Sequence, residues 1–180
     1  MQSLAPVARA IDQFNNIIGR GVAWLSLTMV LVQFIAVVMR YVFGVGPIFL
    51  QESIVYMHGF NFLLGAGYTL LHEGHVRVDI FYREAPVKRK AMTDLIGVGL
   101  FLLPVCIMIF WVSFPYVADS WANLEGSQET SGIPAVFLLK TSILLFCAVL
   151  ILQGISMAIH ASLVLMGLEA PMPEEQHEGL

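Results

Sequence analysis

The sequence predicts an all-α membrane protein, a four-transmembrane-helix bundle with both termini on the cytoplasmic side. Three observations predict it. Of the 180 residues, 58% are hydrophobic and only 12% are charged, with a mean hydropathy of +0.79. That is too little charge to cover the surface of a soluble domain. The apolar residues gather in four runs without Asp, Glu, Lys or Arg, residues 21–39, 53–71, 95–118 and 141–168. Each is long enough to serve as a spanning helix, which takes about 20 predominantly apolar residues. Lys and Arg are shared unevenly among the segments between these runs, which sets a direction of insertion.

Residues 1–20 precede the first span. Leu4, Val7, Ile11, Phe14 and Ile18 recur at steps of three and four and mark one helical face, with Arg9, Asp12, Gln13, Asn15 and Asn16 off it. Two placements follow, an amphipathic helix along the membrane interface or a plain extension of the first span. The first run starts late and ends in Arg40-Tyr41, unlike the small-residue cleavage site of a signal peptide. Gly44, Gly46 and Pro47 then supply turn chemistry between spans one and two. Pro104 in span three predicts a static bend. Trp111, Tyr116 and Trp121 near the end of that span suit the headgroup level. Residues 169–180 hold four Glu together with Pro171 and Pro173 and are expected to form an acidic, flexible tail.

The segment before span one carries Arg9 and Arg20, and the link between spans two and three carries Arg77, Arg83, Lys88, Arg89 and Lys90. The first and third links have only Arg40 and Lys140. By the excess of positive charge in cytoplasmic loops, the termini and the second link lie inside and the other two links outside. A nucleic-acid-binding role for the basic cluster has no place in such a chain, and no nucleic-acid partner is expected. Cys106 and Cys147 both fall within spans and read as small packing residues rather than a disulfide or a metal pair.

Candidate chemistry is sparse. His72-Glu73-Gly74-His75 lacks the His-Glu-x-x-His spacing that turns two histidines toward one zinc ion, so interfacial histidines are the preferred reading. A haem held between His58 and His160 is the alternative from another class. At 1.5 Å per residue these two lie about 8 Å and about 28 Å from the outer ends of their spans, and so miss each other by about 20 Å. An autonomous small exporter is a third reading. None of the four runs contains Asp or Glu, which argues against ion coupling by this chain alone.

The spans do carry ordered polar stripes: Ser26, Gln33 and Arg40; Gln51, His58, Gly65 and His72, with Asn61 beside them; and Gln153, Ser156 and His160. A seven-residue step falls back only about 20° around a helix. Such stripes are interhelical surfaces, serving the bundle itself or a second membrane protein.

The order of motifs resembles a known family. Arg40-Tyr41-Val42-Phe43, Glu52, Gly65-Ala66-Gly67-Tyr68-Thr69-Leu70 followed by EGHVRVDIFY, then PYVADSW, Glu125, SGIPAVFLLK and LQGIS are similar to the small, DctQ-type membrane subunit of tripartite ATP-independent periplasmic (TRAP) transporters. The resemblance spans roughly residues 20–165. It implies a non-catalytic scaffold in the bacterial inner membrane, with no cofactor or metal. It also implies two partners: a large elevator-type subunit that carries substrate and sodium, and a periplasmic protein that transiently docks to deliver an organic acid. On this reading Gln33, Arg40, Glu52, His58, Asn61, His75, Arg77, Asp79, Lys140 and Gln153 are candidates for the partner interface. His75, Arg77 and Asp79 would fix the inner end of span two against the large subunit or anionic lipid headgroups. Glu125, Gln128 and Glu129 are candidates for periplasmic docking.

Overall fold

A computed structural model describes residues 4–75, 82 and 85–168. Its elements are α1 (Ala5–Val42), α2 (Ile48–Leu71), α3 (Val87–Gly97), a π-helical turn (Val98–Leu102), α4 (Leu103–Ala122) and α5 (Val136–Leu165). The helices give four candidate spans, because α3, the π turn and α4 run on as one rod from Val87 to Ala122. All four are long and apolar enough to cross a membrane. They run up, down, up and down. The start of α1, the finish of α2, the start of α3 and the finish of α5 share one end, called the lower end below. The links 43–47 and 123–135 share the upper end.

The helices exceed the apolar runs because polar flanking residues continue the same hydrogen-bonded ladder. The first element shows it most. Pro6 sits in its first turn, where a missing N–H costs nothing, and the helix then passes without a break from Ala5 through residue 20 into the first span. Its 38 residues measure about 57 Å, against about 30 Å of bilayer hydrocarbon. The amphipathic segment is therefore the lower part of α1 and not a separate helix.

Its orientation reverses the expectation for a helix in water. Of the apolar stripe, Leu4, Val7 and Phe14 point outward and Ile11 and Ile18 are half-buried, while Ala8, Asn15 and Gly19 are buried. In an apolar solvent the small and polar face packs inward.

The π turn explains Pro104. Proline cannot donate a backbone hydrogen bond, and its ring crowds the carbonyl four residues earlier, that of Leu100. The backbone N–H of Leu103 instead reaches Val98 O, five residues back. The helix absorbs Pro104 by widening one turn and continues. A second proline, Pro115, lies inside α4.

The centre of the bundle is α5, which packs against α1, α2, α3 and α4, whereas α4 finds its main neighbour in α5 alone. Small residues permit this. A Cβ on Gly154 would lie 2.6 Å from Leu102 Cδ2, so the π turn seats directly on the α5 backbone. Ser142, Cys147 and Ser156 are fully buried along the same helix. Cys106 and Cys147 are both buried and free, as packing residues should be. Large apolar side chains are exposed on α1 and α4, with Trp24 70% and Trp111 80% exposed, and on α1 they stand beside exposed Gln33 and Arg40; the apolar stretches suit contact with lipid.

Candidate functional site

Two polar clasps, one at each end, hold the helices in register. The lower one starts from Ala8, Asp12, Asn15 and Gly19, which share one face of α1 at steps of four, three and four. Across from them α5 presents Gln153, Ser156 and His160. Asp12 Oδ1 accepts hydrogen bonds from Gln153 Nε2 at 3.0 Å and Ser156 Oγ at 2.6 Å, and its Oδ2 lies 3.1 Å from His160 Nε2. Asn15 Nδ2 donates to Gln153 Oε1 at 2.7 Å and, more weakly, to Val149 O at 3.4 Å. Asn15, Gln153 and Ser156 are all at or below 1% exposure.

The third wall of this clasp is α2. A Cβ at Gly67 would lie 2.9 Å from Asn15 Oδ1 and 3.1 Å from Val149 Cβ, so only glycine lets α2 close on both neighbours. A turn further along, His72 Nε2 approaches Asn16 Oδ1 at 3.4 Å and its ring packs on Tyr68 at 4.2 Å between centroids. Higher in the bundle, Asn61 Nδ2 donates to Ser26 Oγ at 3.0 Å.

The upper clasp binds the third link to the helix ends. Glu52, in the first turns of α2, accepts hydrogen bonds from Ser127 Oγ and from the backbone N–H of Ile133, the latter at 2.6 Å. Gly132 fits beneath it because a Cβ there would lie 2.7 Å from Glu52 Oε1. Beside it, Glu125 Oε2 accepts from Lys140 Nζ at 2.5 Å and from Ser120 Oγ at 2.7 Å. These donors, Lys140 first and Ser120 second, hold the Glu125 carboxyl below its ordinary value. Lys140 Nζ also sits 3.9 Å from the Tyr116 ring centroid, a cation–π contact. Trp121 Nε1 donates to Thr141 Oγ1 at 2.9 Å, and its ring meets that of Phe137 at 4.6 Å.

The sequence candidates thus fall into distinct places. Asn61 and Gln153 are engaged inside the bundle, and Glu52, Glu125 and Lys140 join within the chain at the upper clasp. Gln33, Arg40 and His58 are exposed on α1 and α2, and His75 is exposed at the lower end. Gln128 and Glu129 are exposed at the tip of the third link. Arg77 and Asp79 lie outside the described residues. His58 stacks on Phe62 and His160 faces Asp12, so the two histidines occupy different surroundings.

Sequence reasoning missed Asp12 as a bundle residue because it lay outside the apolar runs. The signal was nonetheless present: Ala8, Asp12, Asn15 and Gly19 form a small and polar face opposite the apolar stripe, and in a membrane chain that is the packing face. The bundle therefore does hold a carboxylate at its lower end. Both oxygens of that carboxylate are occupied by donors from α5, an arrangement that ties helices together.

Among the described residues, no group of three or more His, Cys, Asp or Glu is placed to hold a metal ion. Searches of curated proteins and of solved structures return no match. Residues 29–164, more than half of the chain, match the family model described as "Tripartite ATP-independent periplasmic transporters, DctQ component". The matched segment takes in the whole upper clasp, Asn61, Gly67 and the α5 half of the lower one. This multi-pass membrane chain belongs to the DctQ component family of the tripartite ATP-independent periplasmic transporters.

Proposed function

We propose that the chain is a non-catalytic scaffold subunit of its transporter. It pairs with a large, elevator-type permease subunit in the bacterial inner membrane. Together they support sodium-driven uptake of an organic acid delivered by a periplasmic binding protein. The observation that carries this reading is the saturation of the clasp carboxylates. Asp12, Glu52 and Glu125 each accept at least two hydrogen bonds from within the chain. Groups bound in this way hold shape; a relaying carboxylate in a membrane pathway has to exchange partners.

In this reading the lower end faces the cytoplasm, following the distribution of Lys and Arg. His75, with Arg77 and Asp79, steadies the cytoplasmic end of span two against the large subunit or anionic lipid. The upper clasp holds the third link as a platform whose exposed tip, Gln128 and Glu129, meets the binding protein. Glu125 supports that platform from beneath, since its carboxylate is already engaged by Lys140 and Ser120.

The test is co-expression of the affinity-tagged chain with the large subunit of its own transporter, followed by purification in mild detergent. Recovery of the large subunit in near-equal amount supports the scaffold. Purification of the tagged chain alone, with no large subunit retained at any detergent strength that preserves the fold, removes it.

A further inference from the structure

The polar stripes predicted from sequence divide in the structure. Ser26 and Asn61 bind each other, and Gln153, Ser156 and His160 meet α1. Gln33 and Arg40 on α1, and Gln51 and His58 on α2, remain exposed. Among the described residues, none of these four has a side-chain hydrogen bond or ion pair.

Their depths form a series. The Ser26–Asn61 contact sets a common level on the two antiparallel helices. At 1.5 Å per residue, His58 lies about 4 Å above that level, Gln33 about 10 Å, Gln51 about 15 Å and Arg40 about 21 Å. The series climbs from the middle of the spans to their upper ends. Facing lipid, the His58 imidazole and the Gln33 carboxamide would lack a partner, which costs free energy in hydrocarbon; Gln51 and Arg40 carry the same side of the helices up to the membrane margin. The exposed surface of α4 is different. Val105, Met108, Trp111 and Val112 are apolar and are satisfied by lipid chains.

We infer that the exposed polar residues of α1 and α2, Gln33, Arg40, Gln51 and His58, are the seat of the large subunit, and that α4 faces lipid. This rests on the scaffold reading above and adds which side of the bundle the partner takes. The occupant is a second, different membrane chain. It presents helices with hydroxyl or carboxamide groups at the depth of His58 and Gln33, and an anionic group near Arg40. Interhelical polar contacts of this kind hold membrane helices together, and the positive charge of Arg40 favours a carboxylate opposite it.

Two measurements test the placement. First, the triple substitution Gln33→Leu, Gln51→Leu and His58→Leu is compared with wild type for co-purification of the large subunit. Leucine suits both helix and lipid, so folding is retained. The expected result is at least a tenfold loss of large subunit from the triple variant, with full recovery from Met108→Ala/Val112→Ala on α4. Second, a photo-crosslinking amino acid replaces His58 or Trp111 in the otherwise wild-type complex. An adduct with the large subunit at position 58 and not at position 111 supports the placement. Full recovery by the triple variant overturns it, as does an adduct at 58 with lipid or a second copy of this chain. If the wild-type chain itself retains no large subunit, the scaffold reading fails instead, which the same experiment distinguishes.

Discussion

Asn15 and Gln153, 138 residues apart in sequence, meet through a 2.7 Å hydrogen bond that joins the first helix to the last. Both are almost fully buried. Asn15→Leu leaves the Gln153 carbonyl without its donor, and Gln153→Leu also strips a donor from Asp12. Losing a partner for a buried polar group costs about 1–3 kcal/mol, and membrane contacts fall toward the lower end of that range. Thermal unfolding in detergent should show each single variant destabilised, with Gln153→Leu the worse. The double variant should cost less than the sum of the two, because the shared bond is lost once. Strict additivity would mean the two side chains do not interact.

Two glycines in one motif provide a matched comparison. Gly67 packs against Asn15 and Val149, whereas a Cβ on Gly65 meets nothing within 4 Å. Gly67→Ala is expected to destabilise by about 1–3 kcal/mol through overpacking. Gly65→Ala should be neutral, or stabilising by up to about 1 kcal/mol from helix propensity. Equal effects at the two positions in the same unfolding assay would contradict the packing described for α2.

The upper clasp should respond to acid. Lys140 and Ser120 lower the Glu125 pKa from its ordinary value of 4.5. A lowered carboxyl contributes stability that is fully present above the unfolded value and is lost as pH falls through the folded one. The clasp is therefore intact at neutral pH and opens only below 4.5. Trp121 packs on Phe137 beside it, so its fluorescence should change in that acid range. In Glu125→Gln the acid change should shrink without vanishing, because Glu52, held below its ordinary value by Ser127 and the Ile133 N–H, still titrates in the same clasp; a change centred near neutral pH would point to another group.

Gln128 and Glu129 stand exposed on the link that this clasp supports. Gln128→Ala/Glu129→Ala is expected to lower binding-protein-dependent uptake several-fold while leaving membrane insertion and Trp121 fluorescence unchanged. Undiminished uptake would move the docking surface elsewhere. Glu125 is unsuited to this experiment, because removing it disturbs the platform itself.

The spans were legible because hydrophobic length is a one-dimensional property: runs such as 141–168 need no tertiary information. The upper clasp was half legible. Glu52, Lys140 and Glu125 were marked as partner-interface and docking candidates, but their engagement within the chain, Glu52 with Ser127 and Ile133 and Glu125 with Lys140, depends on how the third link folds back over α2. Asp12 was the least legible, because periodicity finds a face without saying which solvent it meets. Leu4, Val7 and Phe14 would face a core in water and face outward here. The π turn was also hidden. Pro104 marks a disturbed ladder, yet whether the helix bends or widens depends on what packs beside it, and Gly154 is 50 positions away.

The most direct measurement of the central claim is sodium-driven uptake in proteoliposomes, with this chain alone, the large subunit alone, and both together, each with the binding protein supplied outside. No transport is expected from this chain alone, and substrate should accumulate only when both membrane subunits are present. Accumulation in vesicles that contain this chain alone would contradict that claim.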